Sequence, residues 1–308
     1  MTRSTAGTEL PLQMEQRVRP EEVVKVARAA GDHILGVYHG DSSAWKVERK
    51  GDSSPVTLAD HEANAVICNG LSQLAPHVPV VSEESREVPF DTRQHYQYSF
   101  CVDPLDGTKE FVKRNGEFTV NIALLRGNRP ILGVVHTPVR EWTHWAAEGI
   151  GAFKRIGRSG SDQPIECASF EASAPGLTLV GSVTHTNRAT KDFLKYFKEP
   201  SFTQMGSSLK LMLVAEGQAH VYPRLAPTCE WDTAAAQAVV EQAGGCVLQA
   251  GECDDAGDPL QGVDWRQELD KEQPLIYNKQ SLKNPMFVCF GNVQGSKLPS
   301  SSSYCSMM

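Results

Sequence analysis

Apolar residues recur along this chain in two rhythms, and the change between them divides it. From Pro20 onward, Val23, Ala27, Ala30, Ile34 and Val37 return every three or four positions, which predicts an amphipathic helix with proline in its first turn. Asp60 to Leu74 repeats the pattern through Ala63, Val66, Ile67, Leu71 and Leu74 and predicts a second helix, separated from the first by a polar turn at Lys50 to Pro55. Short β-rich runs follow at Val78 to Val81, Tyr98 to Val102, Phe118 to Leu125 and Ile131 to His136, each bounded by Gly, Pro or charge, and these predict a sheet. The second half alternates. Leu177 to Val183 reads as a strand, Arg188 to Phe197 and Ser208 to Ala215 as helices, and Thr233 to Ala243 as a helix stopped by Gly244 and Gly245. The acidic, aperiodic stretch Gly251 to Gln273 is expected to be an exposed loop.

The two ends fall outside this patterning. Residues 1–18 and the serine-rich 293–308 are expected to be disordered tails, leaving one domain over 19–292 with halves of about 19–158 and 165–292. A chain of 308 residues with 40% apolar composition can bury a substantial core, yet no apolar run approaches the roughly 20 residues of a membrane span. No membrane partner is expected. Met1 to Gly7 lacks the apolar segment of a signal peptide, so the expected location is the cytoplasm, with organelle import as the lesser alternative raised by the Arg, Ser and Thr of that segment. The eight cysteines contain no Cys-x-x-Cys pair and read as reduced thiols; the nine histidines lack the i, i+4 spacing of a zinc helix. A net charge of −7 argues against a nucleic-acid polymer as partner but leaves room for a small phosphorylated ligand, which needs only local positive potential. No feature of the sequence sets an oligomeric state.

Candidate chemistry concentrates in Phe100-Cys101-Val102-Asp103-Pro104-Leu105-Asp106-Gly107-Thr108, a hydrophobic strand ending in two carboxylates and a glycine. Asp103 and Asp106 can converge across the proline turn, with the Leu105 carbonyl as a further oxygen, and hard divalent cations prefer all-oxygen shells. Gly107 permits close backbone approach, and Thr108 could open a helical turn. Taken alone, the same residues fit an Asp-Gly turn capping a strand. Ser82-Glu83-Glu84 places two more carboxylates at another strand end, where a solvated acidic turn is the competing reading. Asp60 and Asp232 each begin a helix and could be caps.

Jointly these segments carry more. The ordered set Ser54-Pro55-Val56-Thr57-x-x-Asp60, Ser82-Glu83-Glu84, Asp103-Pro104-x-Asp106-Gly107-Thr108 and Trp231-Asp232-Thr233-Ala234-Ala235 resembles the lithium-sensitive inositol monophosphatase superfamily over roughly residues 20–292. Within it, Gly107 to Asn121, Gly206-Ser207-Ser208-Leu209-Lys210, Tyr222-Pro223-Arg224 and Pro274-Leu275-x-Tyr277-Asn278-Lys279 resemble the 3′(2′),5′-bisphosphate nucleotidases of CysQ type. The resemblance implies an α+β fold, the layered α-β-α-β-α sandwich of the sugar-phosphatases. It implies magnesium, two or three ions, with Glu83, Asp103 and the Leu105 carbonyl around one and Asp103, Asp106 and Asp232 around another. Thr108, under the influence of Asp60, would relay a proton from the attacking water, with Glu83 sharing the base role. Thr108, His185, Gly206, Ser207 and Lys210 would meet a small phosphonucleotide. The implied reaction removes the 3′-phosphate of adenosine 3′,5′-bisphosphate, with 3′-phosphoadenosine 5′-phosphosulfate as a related substrate.

Three other functions compete. The haloacid-dehalogenase mechanism needs Asp-x-Asp, whereas Asp103 and Asp106 are three apart, so no phosphoaspartate is expected. An inositol or sugar phosphate phosphatase would share the metal core, and the Gly206 to Lys210 segment argues against it. A non-catalytic phosphonucleotide sensor would retain the fold while losing part of the constellation, and every candidate position is filled.

Overall fold

The computed structural model describes residues 18–45, 47–49, 55–181, 187–254 and 260–298. Helices Pro20–His39 and Leu58–Leu74 pack together over one face of a seven-stranded sheet. That sheet runs in chain order through Val80–Ser82, Tyr98–Asp106, Thr119–Arg126, Arg129–Thr137, Trp142–Ala147, Gly151–Ile156 and Gln163–Pro164, parallel in its first pair and antiparallel thereafter. Helices Leu209–Ala215 and Glu230–Gln242 pack beneath it. Next comes a five-stranded sheet ordered Ser201–Gln204, Thr178–Gly181, Val221–Arg224, Phe287–Phe290, Cys246–Gln249. Arg188–Leu194 and Trp265–Asp270 form the outermost helical layer. The expected α-β-α-β-α layering is met.

Both faces of the large sheet are buried at its central strands Tyr98–Asp106, Thr119–Arg126 and Arg129–Thr137, so these read as nearly continuous apolar runs. Along Thr119–Arg126, Val120, Ile122 and Leu124 enter the core under the first two helices, while Ala123 and Leu125 face the middle helical layer. Gly133 shows how tightly that layer sits: a Cβ there would lie 2.1 Å from the Ala235 carbonyl oxygen. Gly133→Ala must therefore push away the helix that carries Asp232, and overpacking of this kind costs about 1–3 kcal/mol. We expect a lower Tm, measured by thermal denaturation.

Several elements were under-read from the sequence. Strands Trp142–Ala147, Gly151–Ile156, Ser201–Gln204, Val221–Arg224, Cys246–Gln249 and Phe287–Phe290 were absent from the predicted set. The last three are four-residue pieces whose pairing comes from distant segments. The stretch Gly251 to Gln273 is corrected from a loop to a segment containing a helix. Asp264 caps it, accepting the Arg266 N–H at 3.1 Å, and Trp265 and Leu269 are buried against Phe193 and its neighbours. Two apolar residues at i, i+4 are too few to register as a period. The seven described cysteines are all free thiols, and among the described residues no helix is long and apolar enough to cross a membrane.

Candidate active site

Two helix starts place their third residues in the same way. Asp60 closes a capping box: its Oδ2 accepts the Thr57 N–H at 2.7 Å and the Thr57 hydroxyl at 2.6 Å. Its Oδ1 then accepts the Thr108 hydroxyl at 3.0 Å. Asp232 does likewise in the Glu230–Gln242 helix, with Oδ2 accepting the Cys229 N–H at 2.8 Å. The capping roles are therefore real, and each uses one oxygen of its carboxylate. Burial raises the Asp60 pKa, opposed by its two Thr57 hydrogen bonds.

The third and fourth carboxylates come from strand ends. Val80–Ser82 runs parallel to Tyr98–Asp106, and the Glu83 N–H continues the pairing by donating to the Val102 carbonyl at 3.2 Å. Pro104 cannot donate a ladder hydrogen bond, and the register shifts between Asp103 and Asp106. Asp103 Oδ1 accepts the Leu105 N–H at 3.0 Å within this irregularity. Glu83, Asp103 and Asp232 consequently bring carboxylate oxygens within 4.8 Å of one another. Burial, then the charges of Glu83, Asp106, Asp232 and Asp60, hold Asp103 well above the usual carboxylate range; burial and the charges of Asp106 and Glu83 push Asp232 up to about 8. Such oxygens repel unless a cation lies between them, and an all-carboxylate donor set suits a hard divalent ion.

Asp106 sits differently. It lines the same cleft, but its Oδ2 accepts the Ser207 hydroxyl at 2.7 Å, the Ser208 N–H at 2.7 Å and the Ser208 hydroxyl at 2.8 Å. Gly107, at φ +94°, turns the chain so that Thr108–Val112 starts a short helix beside it. The Gly206-Ser207 donors foreseen for a phosphate are engaged internally: the Gly206 N–H donates to Glu117 Oε2 at 2.9 Å, and Ser207 is bound by Asp106. Lys210 departs from a solvated helix lysine. It is 6% exposed, with Nζ donating to the Ser207 carbonyl at 2.5 Å and lying 5.5 Å from the Tyr222 ring centroid. Burial lowers its pKa to about 8, against the pull of Asp106.

A cleft of about 670 Å³ brings together Glu83, Asp103, Leu105, Asp106, Thr108, Gly206, Ser207, Lys210 and Asp232; Asp60 lies behind Thr108. His185 lies outside the described residues, as do Lys50 and Ser54. Sequence reasoning missed Thr57, Asn121 and Ser208 as supports of the site. Thr57 had a signal, the Thr-x-x-Asp capping box. Asn121 and Ser208 fall inside segments that carry the family resemblance, but no local pattern announces their contact, because they meet across 87 residues of chain, with Asn121 Nδ2 donating to Ser208 Oγ at 2.9 Å.

A five-layer fold whose cleft gathers converging carboxylates and a buried lysine defines a site with donors for a cation and positive charge for an anionic ligand. The chain belongs to the inositol monophosphatase family, whose model matches residues 16–282; members of that family are generally metal-dependent. It is 47% identical over 224 residues to the 3′(2′),5′-bisphosphate nucleotidase CysQ of Salmonella typhimurium, covering 73% of this chain and 87% of that protein. Identity to the Escherichia coli K12 protein of the same name is 48% over 224 residues, with the same shares covered. The crystal structure of CysQ from Bacteroides thetaiotaomicron, a bacterial member of the inositol monophosphatase family, superposes with a TM-score of 0.73 at 35% identity, over 89% of this chain and 97% of that one.

Proposed function

We propose that this chain is a 3′(2′),5′-bisphosphate nucleotidase that hydrolyses adenosine 3′,5′-bisphosphate to AMP and phosphate, with 3′-phosphoadenosine 5′-phosphosulfate as a second substrate. The observation that carries the reading is the meeting of Glu83, Asp103 and Asp232 in a cleft that also holds Thr108 and Lys210. The similarity to CysQ proteins supports the substrate class. Glu83, Asp103, Asp106, Asp232 and the Leu105 carbonyl would hold magnesium, as two or three ions. Bound there, magnesium supplies charge neutralisation for the phosphate dianion and lowers the pKa of water.

The remaining work falls to the chain. The Thr108 hydroxyl lies between the cleft and Asp60 and donates to Asp60 Oδ1. When the attacking water gives its proton to Thr108 Oγ1, the Thr108 proton passes to Asp60, whose raised pKa makes it a better acceptor than an exposed carboxylate. Glu83 shares the base role. Thr57 keeps Asp60 turned toward Thr108 by occupying its other oxygen. Lys210 meets the phosphate that is not cleaved, and a dianion beside it would raise its pKa from about 8 and secure its charge. Gly206 and Ser207 serve the nucleotide side through the turn that holds Lys210, and His185 completes it. The partner is the small molecule, with neither a nucleic-acid polymer nor a membrane involved, and the location is the cytoplasm.

Phosphate release from adenosine 3′,5′-bisphosphate, its phosphosulfate relative, inositol phosphates and fructose bisphosphate tests the reading. Preference for the last two would reject it. Lys210→Ala is expected to lower kcat/KM for the bisphosphate by about 10- to 100-fold, the loss of one charge-assisted contact, and to affect adenosine 3′-monophosphate much less. An equal loss on both substrates, or adenosine 3′-monophosphate as the main product, would mean that the two phosphates are exchanged in the site.

A further inference from the structure

Three polar residues at alternate positions, Glu117, Thr119 and Asn121, meet three consecutive residues from the other side of the cleft. Glu117 Oε2 accepts the Gly206 N–H at 2.9 Å, Thr119 Oγ1 lies 2.7 Å from Ser207 Oγ, and Asn121 Nδ2 donates to Ser208 Oγ at 2.9 Å. A period of two keeps side chains on one face of an extended segment, so the row presents itself to the turn as a matched edge. Thr119 and Asn121 are fully buried, and burial of these polar groups is tolerable because each is hydrogen-bonded.

Ser207 explains what the row holds. Its φ is +53°, a left-handed backbone that a residue with a Cβ adopts at a cost, so its surroundings must maintain it. Gly206 allows the approach: a Cβ there would lie 2.8 Å from Glu110 Cγ and 3.0 Å from Glu117 Cβ. The strained turn in turn fixes Lys210, whose ammonium donates to the Ser207 carbonyl. Glu117 is itself braced, with Oε1 3.5 Å from Arg140, whose guanidinium lies 5.0 Å from the Trp142 ring centroid.

We propose that Glu117 and Thr119 are positioning residues for substrate specificity: they hold Gly206 and Ser207 so that Lys210 faces the uncleaved phosphate. The inference rests on the reading of Lys210 given above. Neither residue belongs to the carboxylate cluster or to the proton path.

The test pairs hydrogen exchange with kinetics in the full chain, for wild type, Glu117→Ala, Glu117→Gln and Thr119→Val. Glu117→Ala should speed amide exchange at Gly206, and Gln, whose amide oxygen can still accept that N–H, should restore protection. Glu117→Ala and Thr119→Val should raise KM for adenosine 3′,5′-bisphosphate about 10-fold at nearly unchanged kcat, while adenosine 3′-monophosphate turnover stays within about twofold. Unchanged exchange at Gly206 in Glu117→Ala would overturn the clamp. Equal losses on both substrates would overturn the specificity role and leave a structural one. Thr119→Val and Glu117→Gln keep the question open to test if Glu117→Ala does not fold. Wild-type inactivity on the bisphosphate would reject the proposed function by itself, while the exchange arm still decides the clamp.

Discussion

Asp103→Asn is expected to lower phosphate release by at least about 100-fold, the scale of losing an electrostatic group at a reacting centre, while making the metal-free protein more stable. The two effects have one cause. Asp103 is 1% exposed and shares its site with Glu83 and Asp232, so its charge is costly until a cation offsets it. Its pKa, like that of Asp232 at about 8, is raised above the unfolded value near 3.8. The folded state therefore binds more protons than the unfolded state across that interval. The stability associated with protonation is fully present below about pH 4 and is lost as pH rises through the folded-state pKa values. In chelator, wild-type Tm should fall between about pH 4 and 8, and Asp103→Asn should flatten that decline. Magnesium should raise the wild-type Tm at pH 8 and have much less effect on the variant. A variant with normal turnover, or a metal-free Tm that climbs over the same interval, would remove Asp103 from the centre of the site.

Thr108→Val should reduce kcat by about 100-fold or more, as for loss of a positioned acid-base group, and leave magnesium-induced stabilisation close to wild type. The valine keeps the shape of threonine but lacks the hydroxyl that joins the cleft to Asp60. Thr108→Ser retains the hydroxyl and should recover most of the rate. Asp60→Asn separates the relay from simple packing. It can preserve an acceptor for the Thr57 N–H but is a far weaker base, so kcat should fall as in Thr108→Val, and the double variant should be little worse than either single one. Strictly additive losses in the double variant, measured by steady-state phosphate release, would show that the two residues do not act as a unit.

Helices Pro20–His39 and Leu58–Leu74 were legible because each has a long apolar stripe; proline marks the start of the first, whereas the second begins at Leu58 behind a Thr57 cap, two residues before the expected start at Asp60. Helix Glu230–Gln242 was found from Thr233 onward, though its true start lies three residues earlier at Glu230. That buried carboxylate accepts the N–H groups of Asn278 and Lys279 and pairs with the Lys279 ammonium at 2.6 Å, contacts that no local pattern announces. Short strands escaped for the same reason. Val221–Arg224 becomes a strand by pairing with Phe287–Phe290 and Thr178–Gly181, both far away in the chain.

The sequence by itself determined the long helices, the acidic ends of two strands and the two helix-start aspartates, because these depend on periodicity and on local chemistry at fixed spacing, and its ordered motifs carried the family resemblance. Tertiary structure alone decided how those carboxylates divide. A carboxylate has two oxygens, and partners from distant segments determine which remain for a ligand: Asp60 and Asp232 each give one to their own helix cap, while Asp106 gives its Oδ2 to Ser207 and Ser208. The same is true of Lys210, which helical spacing places next to solvent as readily as in a core. It became a buried, weakened base only when Tyr222 and the strained Ser207 turn closed around it, contacts set by the packing of two sheets and invisible to any window along the chain.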